Sequence, residues 1–342
     1  MVRFGVHVPV SGAKTGLAML RKVAGEAEAL GFHEVYVNDQ ITSMQWAQEF
    51  FQDAAKLEEA ALGRRLDAFE SMTTLGFLAA ITEKVQLGVH ALVPQKRNPI
   101  TIAKQIANVD QLSKGRLWLA IGIGSVETSQ YDFERSFHIS FEKRGEVADD
   151  YIRALKELFG KPRASFHGRF FHFEDVLLYP KPVQNPLPLW VAARSNRALG
   201  RVARFGNGWT LTREFPEFIA TGLGVLKKYL SEEGRQDEVQ VCYQADTCIA
   251  ESDDELRVQS AEGLQRVMKQ GEATYKREMD ASLPAVTRRS FLGRPDHVSS
   301  QVERYLQAGA NRFKLMFMWK DEEGLLRQMR LFAKAILPSF AT

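Results

Sequence analysis

The chain has 342 residues, of which 45% are hydrophobic, and its 45 basic and 42 acidic side chains give a formal net charge of +3. This size allows a large buried core, and α/β barrels of about 250 residues often reach such lengths through loop insertions. The balanced charge, the absence of a basic run and the absence of about 18 consecutive apolar residues argue against a nucleic-acid partner and against a membrane span.

Short apolar runs alternate along the chain with longer amphipathic segments. The runs predict strands at 3–9, 35–39, 85–94, 116–124, 187–193, 208–212, 239–250 and 311–319. The amphipathic segments predict helices at 15–30, 68–82, 99–113, 141–159, 196–205, 214–230, 295–308 and 322–336, with further helical segments after the seventh strand. Eight strand–helix units favour one α/β domain over residues 1–342, a (β/α)8 TIM barrel with loop insertions; an open doubly wound sheet is the main alternative.

Four connections are longer than the loops that usually join a strand to a helix. They lie near 40–66, 125–140, 160–187 and 270–293, and long loops in a barrel often build or cover the active site. The third connection predicts a β-hairpin that turns at His167-Gly168.

Active sites of such barrels lie at the C-terminal ends of the strands, which selects the candidate residues. Polar residues or glycines follow or end most of the predicted strands; they include Asp39, Gln40, His90, Gly122, Arg194, Ser195, Thr212 and Lys314.

The turn after the fifth strand is the best candidate for a phosphate site. Arg194 and Ser195 precede a helix whose free N–H groups and dipole would attract an anion, and an arginine can pair with phosphate through two hydrogen bonds. The alternative is an ordinary N-cap by Ser195, with Arg194 in solvent.

Acid–base chemistry has three candidates, each with a structural alternative. His90 and His7 lie in apolar strands, where a histidine is often a core residue, and Asp39 could equally cap a turn. The sequence contains no HExxH motif, no close Cys/His cluster and no GxSxG motif, so it predicts neither a metal site nor a nucleophile elbow.

Several blocks of the sequence resemble the bacterial luciferase-like flavin monooxygenase family. They are NPITIAKQIANVDQLSKGRLWLAIGIGS (98–125), FEKRGEVADDYIRALKELF (141–159), FHGRFFHFEDVLLYPKPVQNPLPLWVAARS (166–195), GNGWTLT (206–212) and FLGRPDHVSSQVERYLQAGANRFKL (291–315). They cover most of the chain in the order typical of the family.

The resemblance implies a barrel that binds flavin mononucleotide (FMN), or alternatively the deazaflavin coenzyme F420. It places the cofactor phosphate at Arg194 and Ser195 and the ring at the strand ends, and Thr212 matches a position that also reaches phosphate in deazaflavin-dependent relatives. Independently of the resemblance, Gly122 in the glycine-rich end of the fourth strand would let the backbone approach a flat ring or a phosphate. The resemblance further implies a bulge with a cis peptide bond at Val89-His90-Ala91, against the ring.

One position departs from the family pattern. Many members have an acidic residue followed by histidine after the second strand, whereas this chain has Asp39-Gln40. Glutamine can form hydrogen bonds but cannot shuttle a proton near neutral pH. His90 or His7 could take the place of that histidine.

The first functional hypothesis is therefore a flavin-dependent monooxygenase that uses reduced FMN as a co-substrate, together with O2 and a small organic substrate. A separate flavin reductase would supply the reduced flavin, and the resemblance implies a homodimer. A deazaflavin-dependent hydride-transfer oxidoreductase and a non-catalytic flavin-binding barrel are the alternatives. Sparse cysteine and the lack of a signal-peptide pattern predict a cytoplasmic protein.

Overall fold

A computed structural model describes residues 1–42, 54–63, 66–124, 134, 136–235, 239–274 and 282–340. Its strands are β1 (Arg3–His7), β2 (Glu34–Val37), β3 (Gln86–Leu92), β4 (Leu117–Ile121), β5 (Ala164–His167), β6 (His172–Val176), β7 (Leu189–Ala192), β8 (Gly208–Thr212), β9 (Gln240–Ile249), β10 (Phe291–Gly293) and β11 (Arg312–Phe317).

The helices follow the strands in the alternation that the sequence predicts. They are α1 (Leu17–Ala29), α2 (Ala54–Leu62), α3 (Ser71–Ile81), α4 (Pro99–Leu112), α5 (Arg144–Gly160), α6 (Asn196–Phe205), α7 (Pro216–Glu232), α8 (Asp253–Thr274), α9 (Leu283–Arg289), α10 (Pro295–Gln307) and α11 (Glu322–Ala335). Short 3₁₀ turns lie at Pro94–Lys96, Phe141–Lys143 and Leu337–Phe340.

The main sheet closes on itself. Its strand order is β10-β9-β11-β1-β2-β3-β4-β7-β8, and an additional β8–β9 pairing completes a ring of eight strands with β10 attached to β9. The predicted (β/α)8 TIM barrel is confirmed. The sequence reasoning missed α2 and β10, which are short elements inside the long connections. It gave no bounds for α8 and α9, the helical segments that it predicted after the seventh strand.

The contacts within the chain divide it into two compact units. The first contains Met1–His7, Val23–Tyr36 and Trp190–Thr342, and the second contains Val8–Lys22 and Val37–Leu189. The organisation as one domain over residues 1–342 stays a prediction. Among the described residues, no helix is both long and apolar enough to cross a membrane.

A glycine in the first unit, Gly5, makes room for the buried carboxylate of Glu34. Gly5 of β1 pairs with Glu34 of β2 and with Lys314 of β11. A Cβ at Gly5 would lie 2.4 Å from Cγ of Glu34, so any larger residue would displace that side chain. The glycine thus allows a charged side chain to occupy the space beside the strand.

Each unit also contains a strand glycine directly opposite a tryptophan. Gly88 pairs with Trp118 in the second unit, and Gly208 pairs with Trp190 in the first. A Cβ would lie 1.9 Å from the Trp118 ring at Gly88 and 2.0 Å from the Trp190 ring at Gly208. The indole in each pair therefore lies over the backbone of the neighbouring strand.

The predicted hairpin forms a separate two-stranded antiparallel sheet of β5 and β6. Its turn lies at residues 168–171, where Gly168 N–H donates to the carbonyl of Phe171, 2.9 Å away. Asp150 of α5 accepts hydrogen bonds from the N–H groups of Phe170 and Phe171 at 2.8 and 3.2 Å, which anchors the turn to the helix.

Candidate functional site

Asp39, just after β2, is held by hydrogen-bond donors from three segments of the second unit. Its Oδ1 accepts from the Ser71 hydroxyl at 2.8 Å and from Arg97 at 2.6 Å. Its Oδ2 accepts from the N–H of Val93 at 2.9 Å and from a second nitrogen of Arg97 at 2.9 Å. The carboxylate thereby connects the end of β2 to the end of β3 and to the start of α3.

A second acidic residue completes the environment of Arg97. Glu70, the N-cap of α3, contacts the Arg97 guanidinium at 2.8 Å and accepts from the N–H of Thr73 at 2.7 Å. Burial would raise the pKa of Glu70, but these hydrogen bonds lower it. The pKa of Arg97 is raised, because Asp39 and Glu70 outweigh the opposing effect of burial.

This network favours a positioning role for Asp39. Its side chain is 2% exposed and both of its oxygens already accept two hydrogen bonds each, which occupies the roughly four lone-pair sites that a carboxylate offers to a substrate. Gln40, the next residue, is half-buried. The predicted catalytic roles of Asp39 and Gln40 stay predictions.

The end of β3 contains the irregularity that the family resemblance implies. The pairing of β3 with β4 shifts register between Val89 and Leu92, and the peptide bond between His90 and Ala91 is cis. Val89 is fully buried and His90 is 9% exposed. Roles for these residues at a cofactor ring stay predictions.

Gly122 lies against this bulge. Its N–H donates to the carbonyl of Leu92 at 2.8 Å, and a Cβ at Gly122 would lie 3.1 Å from Cβ of Ala91. The structure thus gives a packing reason for the glycine, in addition to the predicted cofactor contact.

In the first unit, Ser195 caps the helix that the sequence predicts. Its Oγ accepts a hydrogen bond from the N–H of Ala198 at 3.3 Å, and α6 has no acidic residue in its first turn. Ser195 is exposed. Because the start of a helix carries unsatisfied N–H groups and a partial positive charge, this turn can bind an anion.

Arg194, beside that cap, forms an ion pair with Glu214, a buried residue just beyond β8. The arginine side chain remains 30% exposed. Glu214 contacts the Nε edge of the guanidinium, which has two further nitrogens for hydrogen bonding. The carboxylate therefore orients Arg194 beside the helix start.

Thr212 is the last residue of β8. Its hydroxyl oxygen lies 3.4 Å from the backbone carbonyl oxygen of Gln244 on β9 and 3.4 Å from the side-chain nitrogen of the same residue. The next residue, Arg213, has a positive φ of 57° and pairs with the buried Asp246 at 2.7 Å. Thr212, at the end of β8, is thus anchored to the middle of β9, and its predicted contact with phosphate stays a prediction.

Lys314, a strand candidate from the sequence, belongs to a buried ionic group. Glu34 contacts Lys314 at 2.6 Å and Arg312 at 2.9 Å, and neither Glu34 nor Lys314 is exposed to solvent. Burial would raise the pKa of Glu34, but the two cations lower it to about 2. Burial also lowers the pKa of Lys314, to about 8, against the opposing effect of Glu34.

His7, the other histidine candidate, is half-buried in β1 of the first unit, where its ring lies 5.4 Å from that of Tyr36. The structure thus distributes the predicted residues over both units. Arg194, Ser195 and Thr212 belong to the first.

Sequence reasoning missed Arg97, Glu70, Ser71 and Glu214, which fix the candidate residues in place. The available signal was that Asp39 and Arg97 follow consecutive predicted strands of a parallel sheet, whose C-terminal ends lie on one side. Residues 43–53 and 64–65 of the predicted loop 40–66, most of 125–140 and part of 270–293 lie outside the described residues.

Comparison with known proteins identifies the family. The family model described as luciferase-like monooxygenase matches residues 2–312. An FMNH2-dependent dimethylsulfone monooxygenase from Pseudomonas putida is 32% identical over 143 residues, which are 42% of this chain and 39% of that protein. An F420-dependent glucose-6-phosphate dehydrogenase from Amycolatopsis mediterranei is 24% identical over 318 residues, 85% of this chain and 91% of that protein.

The solved structures agree on the fold. A monooxygenase from Streptomyces bottropensis superposes with a TM-score of 0.80 at 22% identity and covers 99% of each chain. The matches span less than two thirds of the length of several curated relatives. Because the family model covers most of the sequence, the chain belongs to the luciferase-like monooxygenase family.

Proposed function

We propose that the protein is a flavin-dependent monooxygenase that uses reduced FMN and O2 to oxidise a small organic substrate. The observation that carries the proposal is the anion-binding turn at the start of α6. There, Ser195 caps the helix and Arg194 lies beside it, at the position where the family places the cofactor phosphate. Family membership supports the redox chemistry, and a curated relative that is named for FMNH2 supports the cofactor.

The donors in this turn fit a phosphate monoester. A guanidinium, a hydroxyl and helix N–H groups supply hydrogen bonds of the type that phosphate oxygens accept. Ser195 can accept from Ala198 and donate its own proton outward at the same time, because a hydroxyl is both donor and acceptor. Glu214 pairs with Arg194 at the Nε edge, and this ion pair orients the guanidinium beside the helix start.

The bound flavin would supply the electrons and the activation of oxygen, whereas the protein supplies binding, orientation and exclusion of water. We assign Val89, His90, Ala91 and Gly122 to contacts with the flavin ring, and Thr212 to the phosphate. Within the same proposal, His90 is the candidate acid–base group, since Gln40 cannot transfer a proton and Asp39 is fully engaged by donors. His7 is the alternative.

A second candidate is hydride transfer with coenzyme F420. The specific observation in its favour is the match to the F420-dependent relative, which covers 85% of this chain, against 42% for the FMNH2-dependent relative. Both cofactors carry a phosphate group on the side chain of a flavin-like ring system, so a phosphate site at Ser195 suits either one.

Titration of the purified protein with FMN, reduced FMN and coenzyme F420, followed by fluorescence or calorimetry, decides between the two. Saturable binding of reduced FMN with little affinity for F420 is the expected result. Tight binding of F420 without binding of either flavin form would replace the first proposal by the second. Turnover of any substrate with the bound cofactor would exclude a non-catalytic flavin-binding barrel.

A matched pair of N-cap variants tests the phosphate turn itself. Ser195→Ala and Asp321→Ala each remove an N-cap, since Asp321 caps α11 by accepting from the N–H of Gly324 at 2.7 Å. Each change should destabilise the fold by ~0.5–2 kcal/mol. Only Ser195→Ala should weaken cofactor binding, by about tenfold or more, because it also removes a hydrogen bond to a charged group. Equal cofactor affinity in the two variants would place the phosphate elsewhere.

Three further features belong to the same proposal. A separate reductase would deliver the reduced flavin, the active form would be a homodimer, and the protein would work in the cytoplasm. The two cysteines are free and buried, as expected where thiols remain reduced. Sedimentation of the purified protein measures the assembly directly.

A further inference from the structure

The hairpin of β5 and β6 brings together three metal-binding side chains that the sequence does not present as a motif. His167 and His172 are directly opposite each other across the two strands. Glu174 follows His172 by two residues, and side chains two positions apart project from the same face of a strand. One potential ligand atom from each of the three side chains lies within 4.8 Å of the others.

The opposite face of the hairpin explains why these three residues point outward. Phe166 pairs with Phe173 across the strands, their ring centroids are 5.9 Å apart, and Phe173 is buried. Because side chains alternate between faces, burial of the aromatic face directs His167, His172 and Glu174 to the exposed one. The strand register therefore fixes the cluster.

The distances bring the three side chains within reach of a shared metal ion. Oε1 of Glu174 lies 3.5 Å from Nε2 of His172 and 3.9 Å from Nε2 of His167, whereas the 3.1 Å contact between the two imidazoles joins their other nitrogens, Nδ1. One ligand atom from each residue lies within 4.8 Å of the others. Ligands at about 2.0–2.2 Å from a tetrahedral Zn²⁺ are separated by roughly 3.3–3.5 Å. All three side chains are exposed, so small rotations can close the difference.

The carboxylate of Glu174 has no arginine or lysine partner within the described residues. Its side-chain contacts there are those with the two imidazoles. The neighbouring arginines pair elsewhere, Arg163 with Asp175 at 3.7 Å and Arg169 with Glu146 at 2.7 Å. No guanidinium in the described part of the hairpin thus competes with a metal for Glu174.

We propose that His167, His172 and Glu174 form a binding site for a divalent first-row metal ion that joins the two strands of this hairpin. Two imidazoles and one carboxylate favour Zn²⁺, Ni²⁺ or Cu²⁺ over Mg²⁺ or Ca²⁺, which prefer oxygen ligands. A two-stranded sheet is marginally stable by itself, so a cross-strand ligand would stabilise it. This site is independent of the proposed flavin chemistry.

The test uses the full-length, untagged protein, freed of metal with a chelator that is then removed. Isothermal titration with ZnCl2 is compared for the wild type, His167→Gln, His172→Gln, Glu174→Gln and the control His297→Gln, which replaces an exposed histidine outside the cluster. One equivalent should bind to the wild type and to the control. Both cluster-histidine variants should lose saturable binding at the Zn²⁺ concentration that fills the wild-type site, and Glu174→Gln should bind more weakly.

Two further readouts separate a metal site from a plain histidine–histidine hydrogen bond. Zn²⁺ should slow amide hydrogen exchange across residues 164–176 in the wild type and not in His172→Gln. Affinity should also fall as the buffer is acidified, because protonated imidazole cannot bind the metal. Undetectable Zn²⁺ binding by the wild type, or equal binding by the wild type and a His167→Gln/His172→Gln double variant, would overturn the proposal.

Discussion

Two buried carboxylates that follow each other closely in sequence are held in different ways. Glu34, inside β2, is bound by the charged side chains of Arg312 and Lys314 in the first unit. Asp39, just beyond β2, is bound in the second unit by Arg97, by a hydroxyl and by the backbone N–H of Val93.

The difference separates a stabilising role from a positioning role. Glu34 is the counter-ion that Arg312 and Lys314 share inside the sheet, where an unpaired charge would be costly. Asp39 instead holds the segments that follow β2 and β3 in position, at the side of the barrel where active sites lie. Glu34 should contribute most to the free energy of unfolding, and Asp39 should mainly determine the position of the segments at the C-terminal ends of β2 and β3.

The largest expected effect is that of Glu34→Gln. The change removes the buried counter-ion that Arg312 and Lys314 share, and breaking such a pair costs about 3–5 kcal/mol in the free energy of unfolding. Urea denaturation measures this loss. The control is Glu26→Gln, which makes the same chemical change at the more exposed pair with Arg330 and should leave the stability unchanged within error. Equal effects of the two changes would contradict the buried-ion assignment.

Acidification should remove the contribution of Glu34 to the free energy of unfolding without a mutation. Its pKa in the folded protein is lowered to about 2 from its ordinary value of 4.5, so its contribution to stability is fully present above pH 4.5. That contribution is lost as the pH falls from 4.5 towards 2. The difference in unfolding free energy between the wild type and Glu34→Gln should therefore shrink over this range; a constant difference would argue against the shift.

Asp39→Asn should have the next largest effect on stability. It weakens charge-assisted hydrogen bonds to Arg97, each of which contributes at most about 1.5–3 kcal/mol to the free energy of unfolding. It should also lower turnover, because it displaces the segment that contains Gln40. Glu70→Gln is the matched control, because it removes a charge from the same arginine where the side chain is 33% exposed. A larger effect of Glu70→Gln on turnover would contradict the positioning role of Asp39.

The smallest contrast concerns two glycines. Gly5→Ala should destabilise the fold by roughly 1–3 kcal/mol, because its Cβ would lie 2.4 Å from Glu34. Gly122→Ala should cost less, since its Cβ would lie 3.1 Å from Ala91 and a small shift relieves the contact. Thermal denaturation measures the stability of both variants. A larger loss of stability for Gly122→Ala would show that the backbone around the β3 bulge is less able to shift than the region around Glu34.

Patterns that are local in sequence were predictable, and those that need a partner from elsewhere were not. The buried strands and the N-cap at Ser195 depend on neighbouring residues, so apolar runs and cap chemistry indicate them. The Asp39–Arg97 pair and the group around Glu34 join residues 58 and 278 positions apart, which no local pattern reveals. The hairpin was predicted, but its register, which aligns His167 with His172, was not.

The two glycine–tryptophan pairs have a consequence for how this sequence can change over time. At Gly88 and Gly208 an added methyl group would overlap the indole of Trp118 or Trp190, and a slip of one residue would move each indole away from its glycine. Neither partner can therefore be exchanged freely while the other stays. The glycine and the tryptophan of each pair should therefore change together in evolution. The fit of the indole over the glycine also keeps the neighbouring strands in a single register.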